Sequence, residues 1–462
     1  MTAKQNTDLG RDSVGKLLFK LAVPAIAAQI INMLYNIVDR MYIGHIPDIG
    51  PAALTGVGVT FPIIMIIAAF SSLIGMGGAP RASICMGRQD NDGAEHILGN
   101  CFTVLLGISV VLTAVFLIFG KPLLMMFGAS ESTLPYASAY MNIYVCGTIF
   151  VQLALGLNAF ISSQGFATTS MMTVVIGAVI NIVLDPIFIF VFGMGVQGAA
   201  LATILSQAVS SIWVLWFLFG KKTKLRIQKK YMIPRKHIIL PVLALGVSPF
   251  IMQSTESLVN ITLNASLQTY GGDIAVGAMA ILASMMQVVL LPLMGLTQGA
   301  QPIIGYNYGA GQPGRVKKAF KLLLISSLCF TGILWAVAMV FPELFILIFT
   351  EDASLTSYTI WAIRIYLGAS FILGAQVACQ QTFIAVGQAK SSLFLALLRK
   401  IVLLIPLIFI LPCFLSDKVF AVFLAEPIAD IIATAATCIL FGLQFKRILK
   451  GCAEKEAALP SN

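Results

Sequence analysis

Residues 24–39 read PAIAAQIINMLYNIVD, and residues 249–264 read PFIMQSTESLVNITLN. Each is an apolar helical run with a polar stripe, and each keeps fifteen residues from its proline to its last polar residue. The offset is 225. Downstream, Gly75–Ala79 answers Gly295–Ala300. Gly87-Arg88-Gln89 answers Gly309-Ala310-Gly311 at an offset of 222, and Gly165-Phe166-Ala167 answers Gly387-Gln388-Ala389 at the same offset. Ordered matches at nearly one offset mark a duplication. Duplicated halves in a membrane protein face each other across a central path.

The composition sets the solvent. Hydrophobic residues make up 58% of the chain and charged residues 10%, with a mean hydropathy of +0.94. A soluble domain is about 25% charged, and a spanning helix needs roughly 20 apolar residues. Twelve such runs lie near 17–44, 52–79, 94–119, 134–161, 168–192, 196–220, 238–268, 274–302, 317–341, 354–384, 389–411 and 418–446. In lipid a helix satisfies its own backbone. The expected fold is therefore all-α integral membrane, with twelve transmembrane helices in two pseudo-symmetric six-helix bundles. The expected domains are an N-terminal lobe at 1–220, a basic linker at 221–237, a C-terminal lobe at 238–450 and a disordered tail at 451–462. Six helices per half make the repeat parallel rather than inverted.

The net charge of +10 does not signal nucleic-acid binding. The positive residues sit in alternate loops. Lys4, Arg11 and Lys16 precede the first helix, and Arg81 and Arg88 follow the second. Eight basic residues crowd the linker KKTKLRIQKKYMIPRKH, and Lys446, Arg447 and Lys450 follow the last helix. The opposite loops carry Asp48, Asp273, Glu343, Glu351 and Asp352. The positive-inside rule places both termini and the linker in the cytoplasm of a plasma-membrane protein. The linker reads as a solvated tether lying against anionic lipid. Eight scattered cysteines form no CxxC pair, and no phosphate-cradling GxxxxGK[ST] occurs. Three histidines, at 45, 96 and 237, form no metal-spaced cluster. No enzyme signature and no cofactor are expected.

Acids inside such helices cost roughly 2.5–3.5 kcal/mol on insertion scales and point to function. Asp39 lies late in helix 1, on one stripe with Asn36, Asn32 and Gln29. Asp185 lies in helix 5 one turn after Asn181, and Pro186 frees a backbone carbonyl beside it. Helix 6 adds Thr203 and Gln207. Two carboxylates with amide and hydroxyl oxygens suit a hard cation or a shared proton. The bland alternative has Asp39 solvated at the interface and paired with Arg40. The second half differs. Asn264 stands at the position of Asp39, and an apolar run replaces Asp185. Its own acids are Glu256 in helix 7, on the face of Gln253 and Asn260, and Glu426 and Asp430 in helix 12. Glu256 reads as a lone carboxylate: a second ion site, a counter-charge for a cationic substrate, or a structural group. Asn158, Gln152, Gln380 and Gln381 suit either the cavity between halves or helix–helix hydrogen bonding.

These residues resemble the multidrug and toxic compound extrusion (MATE) transporters along nearly the whole chain. The resemblance rests on Pro24…Asn36-Ile-Val-Asp39 with Gly44, on Gly87-Arg88-Gln89-Asp90 and its echo, and on Asn181…Asp185-Pro186 followed by Gly198-Ala199-Ala200-Leu201-Ala202-Thr203. It implies a V-shaped, monomeric pair of bundles, in contact with membrane lipids, that pumps organic cations and other amphipathic drugs outward in exchange for H⁺ or Na⁺. In prokaryotic members it implies a cation-coupling site, with Na⁺ as one candidate ion, at Asp39, Asn181, Asp185 and Thr203. Pro24 would be the proline at which helix 1 bends. The expected substrate cavity draws on Gln29, Asn32, Asn36, Asn158, Gln253, Glu256 and Asn260. Helix 10 offers no partner acid for Glu256. A lipid-linked sugar flippase of the same superfamily is the alternative. It would need a basic cavity for pyrophosphate, and the bases available are Arg364, Arg399 and Lys400. An integral-membrane enzyme and a channel fit the duplication and the missing histidine clusters less well.

Overall fold

The computed structural model describes residues 8–347 and 352–457. Lys4, Glu351 and the tail beyond Ala457 lie outside the described residues. Helices dominate throughout. α1 is Val14–Gly44, α2 Gly50–Gly87 and α3 Asn91–Met126. α4 is bent by 58° between Leu134–Cys146 and Thr148–Ser163, α5 is Ala167–Val191, and α6 is Val196–Phe219. The run Lys236–Gly309 breaks at Gly272, where φ is +65°. Its two parts are α7 (236–271) and α8 (273–309). α9 is Pro313–Val340. α10 pairs Ala353–Tyr366 with Ser370–Ala385 at 50°, α11 is Ala389–Phe414, and α12 is Lys418–Ala457.

Among the described residues this gives the twelve spans read from the sequence. The last helix extends through Ala457, into the segment expected to be disordered. α5 and α11 each loosen into a π-helical turn, at Ile187–Val191 and Leu398–Leu404. Each lies beside a proline, Pro186 or Pro406. Proline lacks the N–H that an α-turn needs, and inserted π-turns mark functional segments.

The cores show how the lobes meet. At one end α1–α6 bury their own cluster around Ile63, Tyr140 and Ala199. At the same end α7–α12 bury a separate one around Leu263, Leu282 and Phe423. At the other end the clusters are shared. Leu17 and Leu21 of α1 pack with Ala300 and Ile304 of α8, and Ile74 and Leu98 pack with Val242 of α7. The two bundles are thus sealed at one end and separate at the other.

The seal follows the repeat. A Cβ on Gly87 would overlap the carbonyl oxygen of Tyr306, and one on Gly309 would overlap that of Ile84. Both pairings keep the offset of 222. Backbone replaces side chain at this crossing, as small residues permit between membrane helices. The N-terminal segment clasps the same end. Asn307 Nδ2 and an Arg315 guanidinium nitrogen each donate to the Leu9 carbonyl at 3.0 Å.

The linker is docked rather than solvated. Gln164 Oε1 accepts from Thr223 Oγ1 and from the backbone N–H groups of Lys224 and Leu225, at 2.8–2.9 Å. Asn100 Nδ2 donates to the Tyr231 carbonyl at 3.0 Å. Leu225, Ile227 and Tyr231 are buried. These apolar residues alternate with the basic ones, so one edge binds the lobe while the charges face out.

Candidate functional site

The sealed end makes the floor of a cavity of about 830 Å³ between the lobes. Among the described residues, two side-chain–side-chain hydrogen bonds between cavity-lining residues cross that floor, one on each side of the pseudo-axis. Gln29 Nε2 of α1 donates to Gln298 Oε1 of α8 at 3.2 Å, and Ser72 Oγ of α2 donates to Gln253 Oε1 of α7 at 2.8 Å. Gln29, Asn32, Asn36, Asn158 and Gln253 line the cavity as the sequence reading expects. Glu256 and Asn260 do not. Gln287, Gln298 and Gln301 of α8 do, and the sequence reading passed over them. Gln152 instead donates to the Ile67 carbonyl and ties α4 to α2. Gln381 accepts from Gln301 Nε2 at 2.6 Å, and Gln380 faces the Met252 sulfur.

The wall on the N-terminal side is built from α1, α5 and α6. α1 packs along α5, bringing Asp39 to Asp185. The two carboxyl groups lie within hydrogen-bonding reach of each other. Asn181 Nδ2, one helical turn before Asp185, donates to Asp185 Oδ1 at 3.2 Å and to Thr203 Oγ1 at 3.4 Å. Thr203 Oγ1 donates in turn to the Ala199 carbonyl at 3.0 Å. The structure thus brings Asp39, Asn181, Asp185 and Thr203 together. Asn181 and Asp185 are fully buried, while Asp39 and Thr203 line the cavity. A cation moving from the cavity to Asp185 therefore meets Asp39 and Thr203 first.

The donor count is short. Asp39 Oδ1, Asn181 Oδ1 and Asp185 Oδ2 are buried and accept no hydrogen bond. Buried acceptors left unsatisfied are costly. Three of them, from a carboxylate pair and a neighbouring amide, are oxygen acceptors of the kind that suits a small hard cation or a proton. Arg40 does not quench it. Its guanidinium sits over the Phe61 ring at 5.3 Å, and no Asp39–Arg40 ion pair forms. Asp39 is therefore not ion-paired with Arg40, although both line the cavity.

Three tyrosines complete the wall. Tyr35, one turn before Asp39, lies near both acids. Tyr140 lies near Asp39 and Thr203, and it stacks on Tyr144 with ring centroids 6.1 Å apart. The position of Tyr35 on the asparagine stripe could have marked it. Tyr140 and Tyr144 carried only their one-turn spacing.

Glu256 is not the lone carboxylate the sequence suggested. It forms an ion pair with Lys400 of α11. Arg399 bonds Asp430 at 2.7 Å and Glu426 at 3.1 Å. These bases lie inside the C-terminal lobe and do not line the cavity.

The MatE family model matches residues 24–187 and 249–410, one segment in each half. The multidrug export protein MepA of Staphylococcus saprophyticus is 26% identical over 440 residues, covering 94% of this chain and 95% of that protein. A crystal structure of MATE in the bent conformation superposes with a TM-score of 0.91 at 23% identity, over 98% of this chain and all of that one. An outward-facing multidrug resistance MATE family transporter of the MOP superfamily superposes at 0.89 and 23%, over 97% and 100%.

Proposed function

The chain belongs to the MatE family of membrane transporters, and from that premise we propose that it is a cation-coupled antiporter exporting organic, often cationic, drugs. The observation that carries this reading is the set of unsatisfied buried acceptors at Asp39, Asn181 and Asp185, with Thr203 beside it, opening on one side to the cavity between the lobes. H⁺ or Na⁺ entering from outside takes the set and releases the drug. Drug arriving from the cytoplasm favours its emptying. Coupling needs both ligands to bias one two-state element. α1 is that element. Its inner residues Leu17, Leu18 and Leu21 are packed in the shared core, its outer residues carry Asp39, and Pro24 lies between.

The cavity supports a broad amphipathic substrate. Met65, Met76 and Met171 provide an adaptable apolar surface, and Phe61, Tyr35 and Tyr140 provide aromatic faces for a cation. MepA relatives are multidrug export proteins by name. A pyrophosphate-bearing lipid would need a basic cavity. Arg40 lines this one, while Arg399 and Lys400 are neutralised elsewhere, which disfavours the flippase alternative. We place the sealed end, with both termini and the linker, in the cytoplasm, so the cavity opens outward. The protein works as a monomer among membrane lipids.

The test is efflux of a fluorescent cation from proteoliposomes under an imposed pH or Na⁺ gradient, each alone. One gradient should drive export, and Asp39→Asn and Asp185→Asn should each abolish it with folding intact. Near-normal export in either variant moves the coupling site elsewhere.

A further inference from the structure

The C-terminal lobe holds its charges differently. Arg399 and Lys400 share the π-helical turn of α11. Arg399 bridges Glu426 and Asp430 of α12, and Lys400 holds Glu256 of α7. The side chains of Arg399, Lys400, Glu426 and Asp430 are 14, 10, 7 and 2% exposed, whereas Glu256 is 52% exposed. Tyr366 of α10 faces the same group. Two cations thus meet three carboxylates, and one of the carboxylate oxygens, Glu426 Oε2, is buried without a donor. With every group ionised, the cluster is one positive charge short.

Its two cations are unequal. The guanidinium of Arg399 is fixed on two carboxylates. The ammonium of Lys400 is a point charge on a flexible stem, held by one, and it already lies within electrostatic range of Glu426. Glu256 stands one turn beyond the cavity residue Gln253. At 100° per residue it points roughly away from Leu258 and Ile261, the exposed apolar residues of α7. Its open side therefore faces away from lipid, one turn beyond the lining of the cavity.

We propose that Glu256 is a receiving site for organic-cation substrates and that Lys400 is its tethered competitor. A substrate cation takes the Glu256 carboxylate, and the Lys400 ammonium swings onto Glu426 Oε2. Three cations then face three carboxylates, and no covalent bond changes. Departure of the substrate returns Lys400 to Glu256. The inference rests on the drug-export reading above and names the charge that reading leaves unassigned.

The test is equilibrium dialysis of tetraphenylphosphonium, with uncharged triphenylphosphine oxide as control, against the full-length protein in detergent. Lys400→Gln should lower the phosphonium Kd about tenfold, equivalent to about 1.4 kcal/mol, because the competitor is gone. Glu256→Gln should raise it. Glu426→Gln, which touches no substrate, should also raise it, because Lys400 then has nowhere to go. In a Lys400→Gln background the Glu426 effect should vanish. Lys400→Arg retains a cation and should bind no more tightly than the wild type. Binding of the uncharged control should hold constant and reports intact folding. The proposal is overturned if Glu426→Gln leaves phosphonium binding unchanged, if its effect persists without Lys400, or if the phosphonium binds neither the wild type nor Lys400→Gln. Dialysis needs no gradient. A positive cycle with no gradient-driven efflux would sink the coupling reading and leave this one standing.

Discussion

Replacing Asp185 by asparagine should stabilise the protein while stopping transport. Asp185 is fully buried, its carboxyl lies within hydrogen-bonding reach of that of Asp39, and neither Asp185 Oδ2 nor Asp39 Oδ1 accepts a donor. When both are ionised, two unit charges about 4 Å apart at an effective dielectric near 20 repel by about 4 kcal/mol. When one proton bridges them, that repulsion is already relieved. The variant then gains little more than an amide hydrogen bond to Asp39, about 1 kcal/mol. The expected stabilisation is therefore about 1–4 kcal/mol. At roughly 1 °C per kcal/mol for a chain of this size, the melting temperature rises by about 1–4 °C.

The sign of the pH dependence follows. Where the pair shares one proton, raising the pH removes it and loads the wild type with two charges. The variant holds one charge throughout, so its advantage should grow with pH and shrink toward acid. Scanning fluorimetry in detergent, at one scan rate for all samples because such melts are irreversible, reads this directly. Efflux from proteoliposomes reads the other half. A lower melting temperature together with lost efflux would mean that Asp185 is structural and that transport fails through folding. A higher melting temperature with efflux retained would remove Asp185 from the coupling machinery.

Three further outcomes are expected. Arg399→Met strands two buried carboxylates and should destabilise the protein by about 3–5 kcal/mol, with much of the loss recovered in the triple variant that adds Glu426→Gln and Asp430→Asn; thermal melts of both check it. Gly309→Val sets a side chain against the carbonyl oxygen of Ile84 and should prevent the seal, so a cysteine reporter at the sealed end should label faster than in the wild type while cavity positions stay accessible. Gln164→Leu removes the acceptor of three donors from the linker, at about 1–3 kcal/mol for each donor left buried, and limited proteolysis should then cut between residues 221 and 231, where the wild type resists.

The architecture was legible because lipid leaves few options. Long apolar runs must be helices, and an offset of 222 recurring in glycine motifs must reflect a repeated crossing. The four residues at Asp39, Asn181, Asp185 and Thr203 were legible for a related reason. Polar groups at helical spacing within an apolar run need an environment other than lipid, and a common environment brings them together. What stayed hidden depends on pairing across long separations. Lys400 and Glu256 are 144 residues apart, and nothing local to α7 says that its acid is already matched. The glutamines of α8 escaped because Gln287, Gln298 and Gln301 lack the unbroken stripe of α1. The linker misled because its charges dominate its composition, while Leu225, Ile227 and Tyr231 decide where it binds.

The scaffold is symmetric and the chemistry is not, and that asymmetry assigns the lobes different work. Gly87 over Tyr306 and Gly309 over Ile84 repeat one crossing, so the seal treats both halves alike. In the N-terminal lobe the acids have no built-in cation, and their empty lone pairs adjoin the cavity through Asp39. In the C-terminal lobe two cations are part of the chain, and the deficit is a single charge. A site lacking any internal cation must draw one from solution, and it therefore responds to the ion gradient. A site with a tethered cation responds instead to whatever can displace that cation. On the proposed antiport, ion exchange would belong to α1, α5 and α6, and charge selection among substrates to α7, α11 and α12. The two meet at the floor of the cavity, where Gln29 bonds Gln298 and Ser72 bonds Gln253. On that proposal, a shift of α1 on filling the first site would break or remake the first of these bonds, and through it would reach the lobe proposed to receive the drug.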